Sequence, residues 1–258
     1  MIGAIIGDIV GSPYEFHNHK SIEFPLFINK CHTTDDSICT SAIAEKFVYG
    51  GTYENHLSTL CSRYISKGYG RKFASWVEDV DRKPYSSWGN GAAMRVSPVG
   101  WWFKSLDETV AEARESCECT HNHQDSYDAA GAVAGSIFML RNGSSKHDVY
   151  KWVSDRYGYD LDRKLDDLRP AYKFEVSCRK SVPEAFIAFM EGNSFEEVLR
   201  FAVSLGGDSD TICAIAGSLA EAHYAIPADI LISAVSFIEP ELLQICNDFI
   251  RTAAERCK

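Results

Sequence analysis

The sequence has no excess of basic residues, which limits the partners it could bind. Its 258 residues include 26 lysines and arginines against 36 aspartates and glutamates, which gives a formal net charge of -10. A generic nucleic-acid binder or a protein that docks on anionic membranes needs a basic surface. We therefore expect neither a nucleic acid nor a membrane as its partner.

Long hydrophobic runs and paired cysteines are missing as well. No stretch approaches the roughly 20 apolar residues that a membrane-spanning helix needs. The first eight residues carry no basic flank and end on Asp8, which is unlike a secretory signal. The nine cysteines show no C-x-x-C pair, so neither a disulfide framework nor a zinc-ligand spacing is indicated. These absences predict a soluble cytoplasmic protein with reduced thiols.

Two-residue alternation, flexible linkers and internal repeats are also scarce, whereas helical periodicity is common. Residues 2–9 carry an apolar stripe, and Gly3, Gly7 and Gly11 recur every four residues on another face, where a second backbone could approach closely. Further stripes occur at residues 38–47, 130–137, 195–202, 212–219 and 242–249. We predict one all-α domain over residues 1–258, a bundle of about ten or more helices.

Capping patterns suggest where individual helices begin and end. Ser105, Ser181 and Ser194 are each followed three residues later by Glu, the pattern of a capping box. Asn142-Gly143 and the stretch before Pro227 are typical of helix ends. Residues 12–33, 80–101 and 157–180 show the least helical character. Such long loops in a helical scaffold often carry function.

Two acidic clusters each open a predicted helix. The first is Thr34-Asp35-Asp36-Ser37, and the second is Gly206-Gly207-Asp208-Ser209-Asp210-Thr211. Each cluster alone is explained by ordinary N-capping, because Thr is a good cap and acids suit the first turn. The two glycines of the second cluster, however, also leave room for a ligand to approach the backbone.

Taken together, the clusters indicate more than capping. If the two helix starts face each other, four carboxylates share a small volume, and their mutual repulsion raises their pKa values. A divalent cation removes that repulsion, and oxygen-only ligands favour Mg²⁺, Mn²⁺ or Ca²⁺ over zinc. Two ions bridged by one Asp would form a two-metal hydrolytic site.

Three further motifs are weaker by themselves. Glu15 follows a helix break at Gly11 and Pro13, although a loop acid is usually just exposed. The Gly89-Asn90-Gly91 loop could cradle a phosphate with its backbone N–H groups or be an ordinary turn. His121, in Thr-His-Asn-His, is more often packed or solvated than catalytic when it is considered alone.

The order of these motifs resembles the ADP-ribosylglycohydrolases, a group that includes the dinitrogenase reductase-activating glycohydrolases. The shared motifs are Gly-Asp-x-x-Gly-x-x-x-Glu, Thr-Asp-Asp-Ser, Gly-Asn-Gly-x-x-Met-Arg, Thr-His-Asn-His and Gly-Gly-Asp-Ser-Asp-Thr. They span residues 2 to about 227, nearly the whole chain. Five motifs in order at sensible spacing are specific, whereas each one alone is modest.

The resemblance implies an orthogonal all-α bundle with a binuclear magnesium site, in which manganese could replace magnesium. One ion would be held by Thr34, Asp35, Asp36 and Asp210, and the other by Asp208, Asp210 and Thr211 with Glu15 nearby, so Asp210 would bridge. The diphosphate of ADP-ribose would face Gly89, Asn90 and Gly91, and His121 would line the ribose end. Asp8 would support the metal loop from behind.

The implied reaction is hydrolysis of the bond between ribose C1 and a modified target, foremost an ADP-ribosylated arginine on a protein. Independently of the resemblance, we expect a monomer. Asp36, Asp208 or Glu15 would be the general base. Alternatives are a non-catalytic ADP-ribose reader, a hydrolase of O-linked or nucleic-acid-linked ADP-ribose, and a structural protein whose Asp motifs are only caps. Cys213 and the two cations Arg179 and Lys180 depart from the family pattern, and the cations bear on target choice.

Overall fold

Helices form almost all of the regular structure in the computed structural model, which describes residues 1–256. They are α1 Ile2–Gly11, α2 Asp35–Tyr49, α3 Tyr53–Arg63, α4 Arg71–Glu78, α5 Gly91–Met94, α6 Ser97–Trp102, α7 Leu106–Glu115, α8 Gln124–Arg141, α9 Lys146–Tyr157, α10 Leu165–Leu168, α11 Cys178–Glu191, α12 Phe195–Leu205, α13 Ser209–His223, α14 Ala228–Val235 and α15 Pro240–Arg256. Within the described residues there is no β-strand, only an isolated bridge between Gly89 and Ser177. The all-α prediction is confirmed, while the single domain over residues 1–258 stays a prediction whose last two residues lie outside the described range.

The centre of the bundle is α13, which packs against α1, α8, α11 and α12. Its residues are buried on every side except near its C-terminal end, as expected for a helix that is apolar or small-chained all round. Both acidic clusters lie at the ends of core helices, so the core fixes where their carboxylates point.

Glycines bring α1 and α13 unusually close together. A methyl group placed on Gly7 would overlap the carbonyl of Cys213 and lie 2.8 Å from the nitrogen of Ala214. One on Gly11 would lie 2.5 Å from the Cα of Asp210. The four-residue glycine repeat is therefore the contact face of α1, and it brings the C-terminal end of α1 against the start of α13.

Two of the three predicted capping boxes begin helices, and one does not. Ser105 and Ser194 accept the N–H groups of Glu108 and Glu197 and cap α7 and α12. The Ser181 prediction is wrong, because α11 begins a turn earlier and the Ser181 hydroxyl donates to the carbonyl of Ser177 at 2.8 Å. The spacing of a capping box also occurs inside a helix, where serine bonds back to the preceding turn.

The predicted loops are correct in part. Residues 12–33 contain no α-helix, only a 3₁₀ turn over Ser12–Tyr14. Residues 80–101, by contrast, include α5 and most of α6, and residues 157–180 include α10. These helices have four to six residues, too few to show a repeating apolar stripe.

Neither a membrane span nor a disulfide is found in the described part of the chain. None of its helices is both long and apolar enough to cross a bilayer. Eight cysteines are free thiols, seven of them buried, and Cys257 lies outside the described residues. Those seven pack as small residues in the interior, as free cysteine often does.

Candidate active site

Two helix N-termini supply the acidic side chains of the site. Thr34 caps α2 by accepting the N–H of Asp36 at 3.3 Å. Before α13, Gly206 and Gly207 have φ angles of 68° and 75°, which favour glycine, and they turn the chain so that Asp208 precedes the first helical residue. Local sequence thus places carboxylates at both helix starts.

The tertiary structure brings these two starts together. The Thr211 hydroxyl on α13 donates to Oδ2 of Asp36 on α2 at 3.1 Å. One carboxylate oxygen from each of Glu15, Asp208 and Asp210 lies within 4.8 Å of the others. The hypothesis that the two acidic clusters face each other is consistent with this geometry.

Burial and like charge dominate the electrostatics of the site. Burial, and then the charges of Asp208 and Asp36, raise the pKa of Asp210 well above its usual value. Burial, and then Asp8 and Asp35, do the same for the pKa of Asp36. Burial together with the charges of Asp208 and Asp8 raises the pKa of Glu15 to about 7. Burial and mutual repulsion thus disfavour holding all of these groups ionised without a counter-charge.

The donor set fits a hard divalent cation. Oδ1 of Asp36 is buried without any hydrogen-bond partner, which is costly for a carboxylate oxygen unless a cation or water satisfies it. Neighbouring donors are carboxylate and hydroxyl oxygens, which Mg²⁺ prefers. Thr34 gives its hydroxyl hydrogen to Asp8 at 2.7 Å and accepts one N–H, so one lone pair is left for a cation.

Asp8 holds the start of α2 in place from beneath. It is fully buried and accepts the backbone N–H groups of Thr34 and Ser37 at 2.9 and 3.1 Å. It also accepts both hydroxyls of these residues. Four donors on one carboxylate fix the backbone from which Asp35 and Asp36 project.

A cleft of about 500 Å³ opens above the acids, a volume typical of small-molecule sites. The Gly89–Gly91 loop forms part of its wall, and Asn90 donates from its side-chain amide to Asp208 at 2.7 Å. His121 lies against this loop, since a methyl group on Gly91 would be 2.9 Å from its Nε2. The Gly-Asn-Gly motif and the acidic motifs therefore share one cavity.

All but one of the predicted site residues line this cleft. The lining includes Glu15, Asp35, Asp36, Gly89, Asn90, Gly91, His121, Asp208, Asp210 and Thr211. Thr34 is the exception; it lies behind the cleft wall, bonded to Asp8. The roles assigned to these residues stay predictions, since their positions alone do not test them.

Several lining residues had no signal in the sequence. Phe16 and Phe174 stack at the cleft mouth with ring centroids 6.2 Å apart, although they are 158 positions apart in the chain. Arg95 is buried and lines the cleft, and its only signal in the sequence is its place at the end of the Gly-Asn-Gly-x-x-Met-Arg motif. A pattern search for acids and glycines could not have found the aromatic pair.

The two cations that depart from the family pattern do not line the cleft. Arg179 forms ion pairs with Asp125 and Asp128 at 2.8 and 3.6 Å, and Lys180 pairs with Glu175 at 3.6 Å. Both cations are therefore engaged in exposed ion pairs outside the cleft. Between the cleft and this surface, the Cys178 thiol donates to the Gly89 carbonyl at 3.1 Å and supports the Gly-Asn-Gly loop.

Comparison with known proteins agrees with this arrangement. The family model described as ADP-ribosylglycohydrolase matches residues 1–258. The chain belongs to the ADP-ribosylglycohydrolase family. Membership confirms the resemblance seen in the motifs and makes the chain a hydrolase of the ADP-ribosylglycohydrolase type.

Individual members of the family are distant in sequence but similar in extent. ADP-ribosylhydrolase ARH3 of Xenopus tropicalis is 23% identical and aligns over 93% of this chain and 91% of its own length. ADP-ribosylarginine hydrolase Tri1 of Pseudomonas putida is 22% identical over 88% of this chain and 70% of its own length. The solved structure of an ADP-ribosylglycohydrolase-related protein complex superposes with a TM-score of 0.74 at 22% identity, covering 98% of this chain and 95% of that one. This structure confirms the fold.

Proposed function

We propose that this enzyme is a magnesium-dependent hydrolase that releases ADP-ribose from modified arginine side chains of proteins. The observation that carries the proposal is the meeting of two acidic helix starts around an unpartnered carboxylate oxygen of Asp36, within the cleft that also contains the Gly-Asn-Gly loop. The arginine linkage is supported by the likeness to the ADP-ribosylarginine hydrolase Tri1.

The residues present would hold two ions as the motif order implies. Thr34, Asp35, Asp36 and Asp210 would hold one, and Asp208, Asp210 and Thr211, with Glu15 nearby, the other. Bound magnesium supplies positive charge that orients sugar hydroxyls and makes water more acidic. The same charge would offset the repulsion that raises the pKa of Asp210 and Asp36.

The protein's own groups position the reactants. Asn90 fixes one oxygen of Asp208, and Thr211 fixes one oxygen of Asp36, so each carboxylate keeps its other oxygen available. One of Asp36, Asp208 and Glu15 takes the proton of the water that attacks ribose C1, as the bond to the arginine nitrogen breaks. Glu15 is the most accessible of these three acids, because it follows the 3₁₀ turn at the cleft mouth.

Hydrolysis of O-linked ADP-ribose is the second candidate function. The name of the ARH3 relative specifies no linkage, and its match to this chain is at least as extensive as that of Tri1. Hydrolysis of O-linked ADP-ribose would use the same ions and the same carboxylates. Only the group that leaves would differ.

Release of free ADP-ribose from an ADP-ribosyl-arginine peptide, with magnesium or with EDTA, tests the proposal. We expect release only with magnesium, and none from the Asp210→Ala variant. Asp155→Ala, an exposed acid outside the cleft, is the matched control and should keep the native rate. Native turnover by Asp210→Ala, or release in EDTA, would refute the two-ion assignment.

Peptides that carry O-linked ADP-ribose, tested beside the arginine-linked peptide, separate the alternatives. Release from O-linked but not from arginine-linked peptides would change the linkage and keep the enzyme class. Tight ADP-ribose binding with no release from any peptide would indicate a reader. We further expect a monomer acting in the cytoplasm, where free thiols persist. Size measurement in solution and localisation of a tagged chain test these two expectations.

A further inference from the structure

A buried chain of hydrogen bonds runs from Arg95 to His121 beneath the Gly-Asn-Gly loop. Nη2 of Arg95 donates to the Thr120 hydroxyl oxygen at 2.8 Å. The same oxygen lies 2.8 Å from Nδ1 of His121. Arg95 and Thr120 are at most 1% exposed, so water does not compete for these groups.

The direction of each bond follows from what its members can donate. A guanidinium only donates, so the Thr120 oxygen accepts from Arg95. The single hydroxyl hydrogen of Thr120 is then free to donate to Nδ1 of His121. If Nδ1 carried a hydrogen instead, the buried Thr120 hydroxyl would be left with the Cys119 sulfur, a weak acceptor, as its partner.

We infer that Arg95 and Thr120 are positioning residues that lock His121 as the neutral tautomer with its hydrogen on Nε2. That nitrogen is the one that faces the cleft, beside Gly89 and Gly91. Burial and the charge of Arg95 also lower the pKa of His121 well below its usual value, which agrees with a neutral ring.

The consequence is that His121 and the carboxylates have different roles in the active site. The free nitrogen of His121 carries a hydrogen, so it donates to an oxygen of the ligand and cannot accept a proton from water. A phosphate or sugar oxygen of bound ADP-ribose is the acceptor of the right chemistry, a point that rests on the proposed function. Proton abstraction is left to the carboxylates.

Nitrogen NMR of the ligand-free, histidine-labelled protein tests the tautomer without any need for activity. We expect His121 to show a hydrogen-bearing Nε2 and a bare Nδ1, unchanged from about pH 6 to pH 8. A hydrogen on Nδ1, or a ring that becomes doubly protonated in that range, would overturn the inference whether or not the chain is an arginine-linked hydrolase.

Thr120 variants test whether this relay, the hydrogen-bond chain from Arg95 through Thr120 to His121, affects turnover. Thr120→Val keeps the shape but removes the hydroxyl, so the tautomers should mix and KM should rise about tenfold, with kcat changed less. Thr120→Ser keeps the hydroxyl and should restore both the spectrum and KM. An unaltered His121 spectrum in folded Thr120→Val would refute the relay, and so would a Thr120→Ser variant that behaves like Thr120→Val.

Discussion

At the scale of single residues, the site is a set of acidic side chains that are buried close together. Burial and mutual repulsion destabilise the ionised form of each carboxylate. Asp210 is 3% exposed, and its pKa is raised by burial and then by Asp208 and Asp36. Asp36 keeps one oxygen with no partner. Such a group is unfavourable for the metal-free protein and useful only when a cation is present.

Asp210→Asn should therefore separate metal binding from stability. The amide removes a charge that repels its neighbours, so in EDTA we expect the melting temperature to stay level or rise by a few degrees. Magnesium at 100 times the dissociation constant should stabilise the native protein by about 2.7 kcal/mol. It should not stabilise Asp210→Asn. Melting curves with and without magnesium measure both effects, and equal magnesium shifts in the two proteins would contradict the ligand assignment.

At the scale of elements, function depends on how closely α1 and α13 cross. In this arrangement Asp8 accepts the backbone N–H of Thr34 before α2, and the Thr211 hydroxyl at the start of α13 reaches Asp36 at the start of α2. The glycine face makes this possible, since side chains at Gly7 and Gly11 would overlap the backbone of α13. The backbones of α1 and α13 meet directly at these positions, and a backbone cannot move aside as a flexible side chain could.

Gly7→Ala should consequently lower the free energy of unfolding by about 2 kcal/mol or more, as overpacking of a tight core does. It should also weaken magnesium binding, because the acids on the two helices move apart. Gly70→Ala is the matched control: a methyl group there meets nothing within 4 Å, and its φ of -57° suits alanine. Urea denaturation of both variants, with a magnesium titration, would show whether only Gly7→Ala has these effects.

At the scale of the whole molecule, the six carboxylates of the site all have raised pKa values, within a protein of net charge -10. Between the ordinary carboxylate pKa and these raised values, the folded state binds more protons than the unfolded state. The free energy of unfolding then falls as pH rises. The neutralising effect of bound cations should remove this dependence.

In EDTA, we therefore expect stability to decrease from about pH 5 to pH 8, with the pKa of Glu15, about 7, inside that window. In magnesium, the slope should flatten or reverse, since protons and cations compete for the same oxygens. Urea denaturation across this range in both buffers measures the two slopes. A stability in EDTA that increases with pH would show that the acids are not mutually repulsive in the folded state.

The sequence by itself determined the helical fold class, the family and the list of candidate site residues. Helical periodicity and capping are local properties, so α7, α12 and the acidic starts of α2 and α13 could be predicted from short segments. The same local view placed the start of α11 one turn too late and missed the shortest helices, because a capping pattern or a four-residue helix carries too little signal.

Only the tertiary structure decided which of those residues meet. The contact of Thr211 with Asp36 joins positions 175 apart, and the Phe16–Phe174 stack joins positions 158 apart. Such contacts depend on how whole helices pack, which the glycine face of α1 permits but does not specify alone. The direction of the Arg95–Thr120–His121 hydrogen bonds was likewise decided by burial, since only a site closed to water forces each donor to find an acceptor within the protein.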